Sequence, residues 1–150
     1  MNTMDSRIET VLIGTSLGEE SDQVVRSGLS VARAAGARAF LVHAAQLEPL
    51  LAGYDAGAFL EREQIAECYE ELHRQIERLG LGKPELAGSK VQAGAPHRVL
   101  TNTAKEIAAD LIVVGATGSG PFAAELLGST ADRVLRKSPC PVLVVRGELT

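Results

Sequence analysis

Five short apolar runs recur along the chain, and the segments between them carry apolar residues at helical spacing. ETVLIG (9–14) is followed by SDQVVRSGLSVARAAG, with apolar positions at Val24, Gly28, Val31 and Ala35. ARAFLVHAA begins directly after Gly36, as a helix stop followed by a strand would. Beyond the loop around LEPLLAGYDAG, residues Ile65, Tyr69, Leu72, Ile76 and Leu79 are spaced four, three, four and three apart. They form the clearest helix in the sequence, ended by Gly80, Gly82 and Pro84. LAGSKVQAG (86–94) is a weaker strand, and APHRVLTNTAKEIAAD is a helix with Leu100, Ala104 and Ile107 on one face. DLIVVG (110–115) is apolar throughout, as a strand buried on both faces would be. STADRVLRKS then predicts a helix with Ala131, Val134 and Leu135 inward, and PVLVVR a final strand.

Such alternation predicts an α/β fold, a parallel sheet with helices on both faces, because each parallel connection needs a right-handed crossover. Ligands of such sheets bind beyond the carboxyl ends of the strands, where the winding reverses. Here those ends are Gly14-Thr15-Ser16, His43-Ala44 and Gly115 to Gly118. At 150 residues with no repeat or linker, the chain is expected to form one domain, 1–150.

Composition narrows the function. Fifteen basic and nineteen acidic residues give a net charge of -4, the basic residues are scattered, and Trp is absent. These features argue against a nucleic-acid partner. The N-terminal MNTMDSRIET has no apolar signal core, and no stretch approaches the roughly 20 apolar residues of a membrane helix. A cytoplasmic protein without a membrane partner is the expectation. Cys68 and Cys140 lack C-x-x-C spacing and read as reduced thiols, at least one of them packed in the core.

The stretch GATGSGPFAAELLGST (115–130) is the main candidate for chemistry. A Walker A loop is excluded, since no lysine lies between Lys105 and Lys137. Gly118 to Ala123 fits G-x-G-x-x-A but follows the fourth strand, whereas the dinucleotide fingerprint follows the first. A longer spacing remains: Gly115, two residues, Gly118, nine residues, Gly128-Ser129. Gly115 and Gly118 would let backbone approach a ligand without a Cβ in the way, and Gly128-Ser129 would open the last helix, where N–H groups and the dipole attract phosphate. The competing explanation of Ser129 is a capping box with Asp132, which needs no ligand.

With this loop the chain resembles the universal stress proteins, whose hallmark is G-x-x-G, nine residues, G-S/T. Gly115, Gly118, Gly128 and Ser129 match it without a gap, and DLIVVG, ADRVLRKSPCPVLVVR, LVHA and Gly94-Ala95-Pro96 match the flanking features. The resemblance covers nearly the whole chain. It implies a flavodoxin-like, Rossmann-like three-layer domain, with a five-stranded parallel sheet in the order 3-2-1-4-5. It also implies a homodimer and a regulatory stress-response protein that binds ATP, with or without Mg²⁺, or AMP or another adenine nucleotide. The ribose and phosphate side carries over onto Val114, Gly115, Gly118, Ser119, Gly128, Ser129 and Thr130, and the adenine side onto Gly14, Thr15, Ser16 and Ala44.

Two departures bear on binding. Family members that bind nucleotide commonly have Asp after strand one where this chain has Ser16, and often a basic residue where it has Ser119. A neutral hydrogen bond is worth about 0.5–1.5 kcal/mol and a charged one about 1.5–3, so the first loss weakens binding on the order of tenfold. The second removes a cation from the phosphates. Weak ATP binding or a less charged adenine nucleotide is implied; the alternative is a family member with a vestigial pocket that works as a protein-interaction module.

An enzyme is not expected, and a slow ATPase or phosphotransferase is the least favoured of the three readings. Phosphoryl transfer needs a cation over the transferred group, and residues 115–130 contain no Lys, Arg or His and only Glu125 as acid. No metal site is expected either: Cys68 and His73 fall on different helix faces, His43 reads as a satisfied core histidine, and His97 as solvent-facing. Asp110 begins its strand, at the end of the sheet away from the crevice. In the order 3-2-1-4-5 the last strand, Pro141 to Arg146, is an edge with Val142, Leu143, Val144 and Val145, and a second copy would remove that liability. Residues 46–60, with Tyr54 and Phe59, flank either the pocket or the dimer surface.

Overall fold

The apolar runs do become strands. The computed structural model describes residues 7–46, 55–82, 85–116 and 127–146. It contains β1 (Thr10–Gly14), α1 (Asp22–Ala35), β2 (Arg38–Ala45), α2 (Asp55–Arg78), β3 (Gly88–Ala93), α3 (Pro96–Glu106), β4 (Leu111–Gly115), α4 (Ser129–Lys137) and β5 (Val142–Val145). A single 3-10 turn, Glu19–Ser21, precedes α1.

All four strand pairings are parallel, as the alternation predicted, and the sheet order is β3-β2-β1-β4-β5, as the family resemblance implied. The central strands explain their own composition. In β1, Val11 and Ile13 point into one apolar cluster and Leu12 into the other, so both faces of the strand are dry. α1 and α2 cover the first face, with Val25, Leu29 and Leu72 in its core. α3 and α4 cover the second, with Val99, Leu100 and Val134. Gly28 marks the tightest helix-to-sheet approach: a Cβ there would stand 2.7 Å from Ile13 Cδ1 and Cγ1.

Several side chains depart from the sequence reading. α1 buries Val24, Val25, Gly28, Leu29 and Ala32, whereas Val31 is half-buried and Ala35 exposed. The buried stripe is wide enough to take adjacent residues, and it lies slightly round from the one expected. Leu135, expected inward, is 47% exposed, because α4 rests on the sheet through Ala131 and Val134 and the next position turns away. His97, expected in solvent, is buried. Gly36 stops α1 with φ 67°, the left-handed cap inferred from the sequence. Cys68 packs half-buried against the first face and Cys140 against the second. The sheet separates the two thiols, and burial raises both above the ordinary thiol range. Neither belongs to the fully buried core. Among the described residues, no helix is long and apolar enough to cross a membrane.

Candidate functional site

A cavity of about 270 Å³ opens at the carboxyl ends of the strands, where the chain leaves β1 and β4 toward opposite faces of the sheet. Gly14, Thr15 and Ser16 reach it from β1, Ala44 from β2, Val114 and Gly115 from β4, and Thr130 from α4. These are sequence-predicted positions that the fold brings together. Gly128 is buried and Ser129 exposed at the head of α4 beside Thr130, but neither lines the cavity. Gly118 and Ser119 lie outside the described residues, as do Tyr54 and the side chain of Phe59.

Hydrogen bonding draws the two ends of the glycine loop together. Ala116 N–H donates to Val145 O at 2.8 Å, and Gly128 N–H donates to Ala116 O at 2.8 Å. The head of α4 therefore stands against the end of β4. Gly128 is its extended N-cap, and no side chain caps it. The capping box read from Ser129 and Asp132 does not form: Ser129 is already the first helical residue, and the Asp132 carboxylate accepts from Arg136 Nε at 3.2 Å. Asp132 N–H bonds Gly128 O, the ordinary helical partner. An α-helix head without a side-chain cap keeps its dipole and leading N–H groups for an anion. Gly115 has a packing reason beside any ligand role, since a Cβ there would meet Val24 Cγ2 at 3.2 Å. At Gly14 a Cβ would meet Leu100 Cδ2 at 2.9 Å.

The β1 side of the cavity is organised by a turn that no sequence pattern announced. Leu17 has φ 75°, a left-handed conformation that costs a non-glycine residue about 1–3 kcal/mol. Burial of its side chain and donation of its N–H to Thr15 Oγ1 at 3.0 Å hold it there. The 3-10 turn follows and carries Glu20 and Ser21 into the cavity wall. Ser16 Oγ donates to Glu20 Oε1 at 3.0 Å.

Behind that wall lies a buried polar chain. Thr15 Oγ1 donates to Gln75 Oε1 at 2.8 Å, and Gln75 Nε2 donates to Ser21 Oγ at 2.9 Å and Asp22 Oδ1 at 3.0 Å. Ser21 Oγ in turn donates to Gly18 O at 2.7 Å. Each hydroxyl has one proton, so the 2.9 Å approach of Thr15 Oγ1 to Ser21 Oγ is an alternative pairing and not an additional bond. Arg78 closes the chain with a two-pronged bond to Asp22, which holds that carboxyl below its ordinary range against the opposing effect of burial. Gln75 is 0% exposed, and its place on a helix dense in charged residues gave no sign of it.

His43 is satisfied, as expected of a core histidine, but it also lines the cavity. Its Nδ1 lies 2.8 Å from Thr15 O, and a carbonyl can only accept, so Nδ1 carries a proton and donates it there. His97 lies on α3, one residue from the cavity-lining Pro96. Burial, then Arg133, Lys137 and Arg98, push its pKa below the ordinary imidazole value. Glu20 is the single formally charged side chain among the described lining residues. Asp110, at the opposite end of β4, accepts from the N–H groups of Glu9 and Thr10, a structural role away from the cavity.

Comparison with known proteins agrees with this fold. A family model described as "Universal stress protein family" matches residues 7–146. Universal stress protein Rv1636 of Mycobacterium tuberculosis is 34% identical over 145 residues, covering 93% of this chain and 97% of the relative. A universal stress protein solved in complex with cAMP is 27% identical, with a TM-score of 0.72 over 95% of this chain and 99% of that one. UspA from Lactobacillus plantarum, at 20% identity, superposes with a TM-score of 0.75 over 93% of this chain and 99% of its own, a likeness of fold.

Proposed function

Because the chain belongs to the universal stress protein family, we propose that it is a single-domain, nucleotide-responsive regulatory protein that binds an adenine nucleotide in the cavity at the strand ends. The observation that carries this reading is the meeting of that cavity with the head of α4, which no side chain caps and whose Thr130 lines the wall. Phosphate would lie at the helix head, with Gly128, Ser129 and the sequence-matched Gly118 and Ser119 around it. The base would lie in the apolar part of the cavity among Val42, Ala44 and Leu100. The relative at 27% identity that was solved with cAMP supports an adenine nucleotide as the ligand class. Binding, and not turnover, is the role we assign, since residues 115–130 supply no cation to a transferred phosphoryl group. β5, at the sheet edge with half-buried Val142 to Val145, is the surface we assign to pairing with a second copy.

The test is mass spectrometry of small molecules released on denaturation, followed by thermal melts with ATP, AMP and cyclic AMP. Ligand at about 100 times its dissociation constant stabilises by about 2.7 kcal/mol, several degrees at this chain length. Thr130→Val keeps the volume and removes the hydroxyl, and should lower affinity by roughly 2- to 10-fold. No released nucleotide and no shift at millimolar ligand would favour the second reading, an interaction module. The absence of a cation from residues 115–130 is the observation on that side.

A further inference from the structure

We propose that Glu20 is the specificity-determining residue of this cavity: its carboxylate selects ligands by anionic charge, admitting a singly charged nucleotide and opposing a metal-free triphosphate. The inference rests on the reading of the cavity as a nucleotide site. Three features place the carboxylate there. Glu20 lines the cavity, and Ser16 Oγ donates to its Oε1 at 3.0 Å. Gly18 leaves it room, since a Cβ at that position would collide with both carboxylate oxygens.

Among the described lining residues no cation offsets this charge. No Lys or Arg is among the described lining residues, and the sequence from Gly115 to Thr130 contains none. Arg78, the cation of the neighbouring polar chain, is committed to Asp22. Repulsion between Glu20 and a ligand scales with the charge the ligand brings, so it falls hardest on a triphosphate and least on a cyclic phosphodiester. The helix head offers only about half a positive charge against the full negative charge of Glu20, so it reduces this repulsion without cancelling it.

The test is calorimetric titration of wild type, Glu20→Gln and Gly18→Ala with cyclic AMP, with ATP in a chelator, and with ATP plus Mg²⁺. Glu20 is exposed and Gly18 has φ -70°, open to alanine, so both variants should fold. In Glu20→Gln, affinity for metal-free ATP should rise on the order of tenfold and that for cyclic AMP about twofold, the difference shrinking at high salt. Gly18→Ala, which displaces the carboxylate without removing it, should move both in the same direction by less. Equal gains for the two ligands would overturn the charge filter in favour of a steric role. Loss of Mg²⁺-dependent ATP binding in Glu20→Gln would overturn it in favour of a metal-holding carboxylate. If neither ligand binds wild type or variants, the nucleotide reading falls and this one with it.

Discussion

Replacing Gln75 by Leu tests whether the buried polar chain behind the cavity holds the β1 turn to α2. The substitution keeps nearly the same volume but removes three hydrogen bonds, to Thr15, Ser21 and Asp22. At about 1 kcal/mol net for each, the loss is about 3 kcal/mol. Thr15 can recover roughly one of these by turning its proton to Ser21 Oγ, already 2.9 Å away. The expected destabilisation is therefore about 2 kcal/mol, or roughly 4–8 °C in melting temperature at this length. Urea unfolding should show a lower midpoint with an unchanged slope. A double-mutant cycle with Thr15→Val separates the terms: if the hydroxyl re-pairs, the two changes should be nearly additive, whereas without re-pairing they should couple by about 1 kcal/mol, the worth of the bond they share. A loss below about 0.5 kcal/mol would refute the reasoning, because the three bonds of the buried glutamine would then make it no better than leucine. A loss of about 3 kcal/mol or more would also refute it, since it would mean the hydroxyls do not rearrange.

Gly28→Ala would place a Cβ 2.7 Å from Ile13 Cδ1 and Cγ1, so α1 must lift from the sheet. The cost should be about 1–3 kcal/mol, read from urea midpoints despite alanine's better helix propensity. His97 is buried with its pKa lowered from 6.5, so the unfolded chain takes up the proton first. Stability should fall as pH drops below about 6.5 and level off below the folded pKa, and in melts from pH 8 to 5 that component should be missing from His97→Gln. For Asp22, whose carboxyl is lowered from 3.8 chiefly by Arg78, the sign is opposite. Its contribution is present above about 3.8 and lost as pH falls through the lower folded value, so acid titration of Arg78→Met should show a smaller loss in that window. Sedimentation at micromolar concentration should give a species of twice the 15.8 kDa chain mass, and only monomer would refute pairing through β5.

The sequence by itself determined the order of the elements and the end of the sheet that matters. Alternating apolar runs and helical spacings are short-range signals: each reports on a few neighbours, and DLIVVG became Leu111–Gly115 and LAGSKVQAG became Gly88–Ala93 with only small shifts at their ends. Parallel pairing and crossover handedness then left few topologies, and the resemblance to the universal stress proteins implied the one observed, β3-β2-β1-β4-β5. The strand-end residues Gly14, Thr15, Ser16, Ala44 and Gly115 were legible for the same reason, since a strand's end is a local property.

Only the tertiary structure decided what fills the space between those ends. Gln75 is buried because α2 crosses the β1 turn at that point, 60 residues along the chain from Thr15, and its own helix gives no hint of the hydroxyls it meets. Glu20 enters the cavity through a left-handed turn at Leu17, a residue that ordinarily avoids that backbone region, so neither the turn nor its charge could be placed beforehand. Ser129 and Asp132 have the spacing of a capping box, yet Asp132 turns to Arg136 and Ser129 is already helical. A local pattern fixes which groups can pair, but burial and the neighbours that the fold supplies fix which of them do.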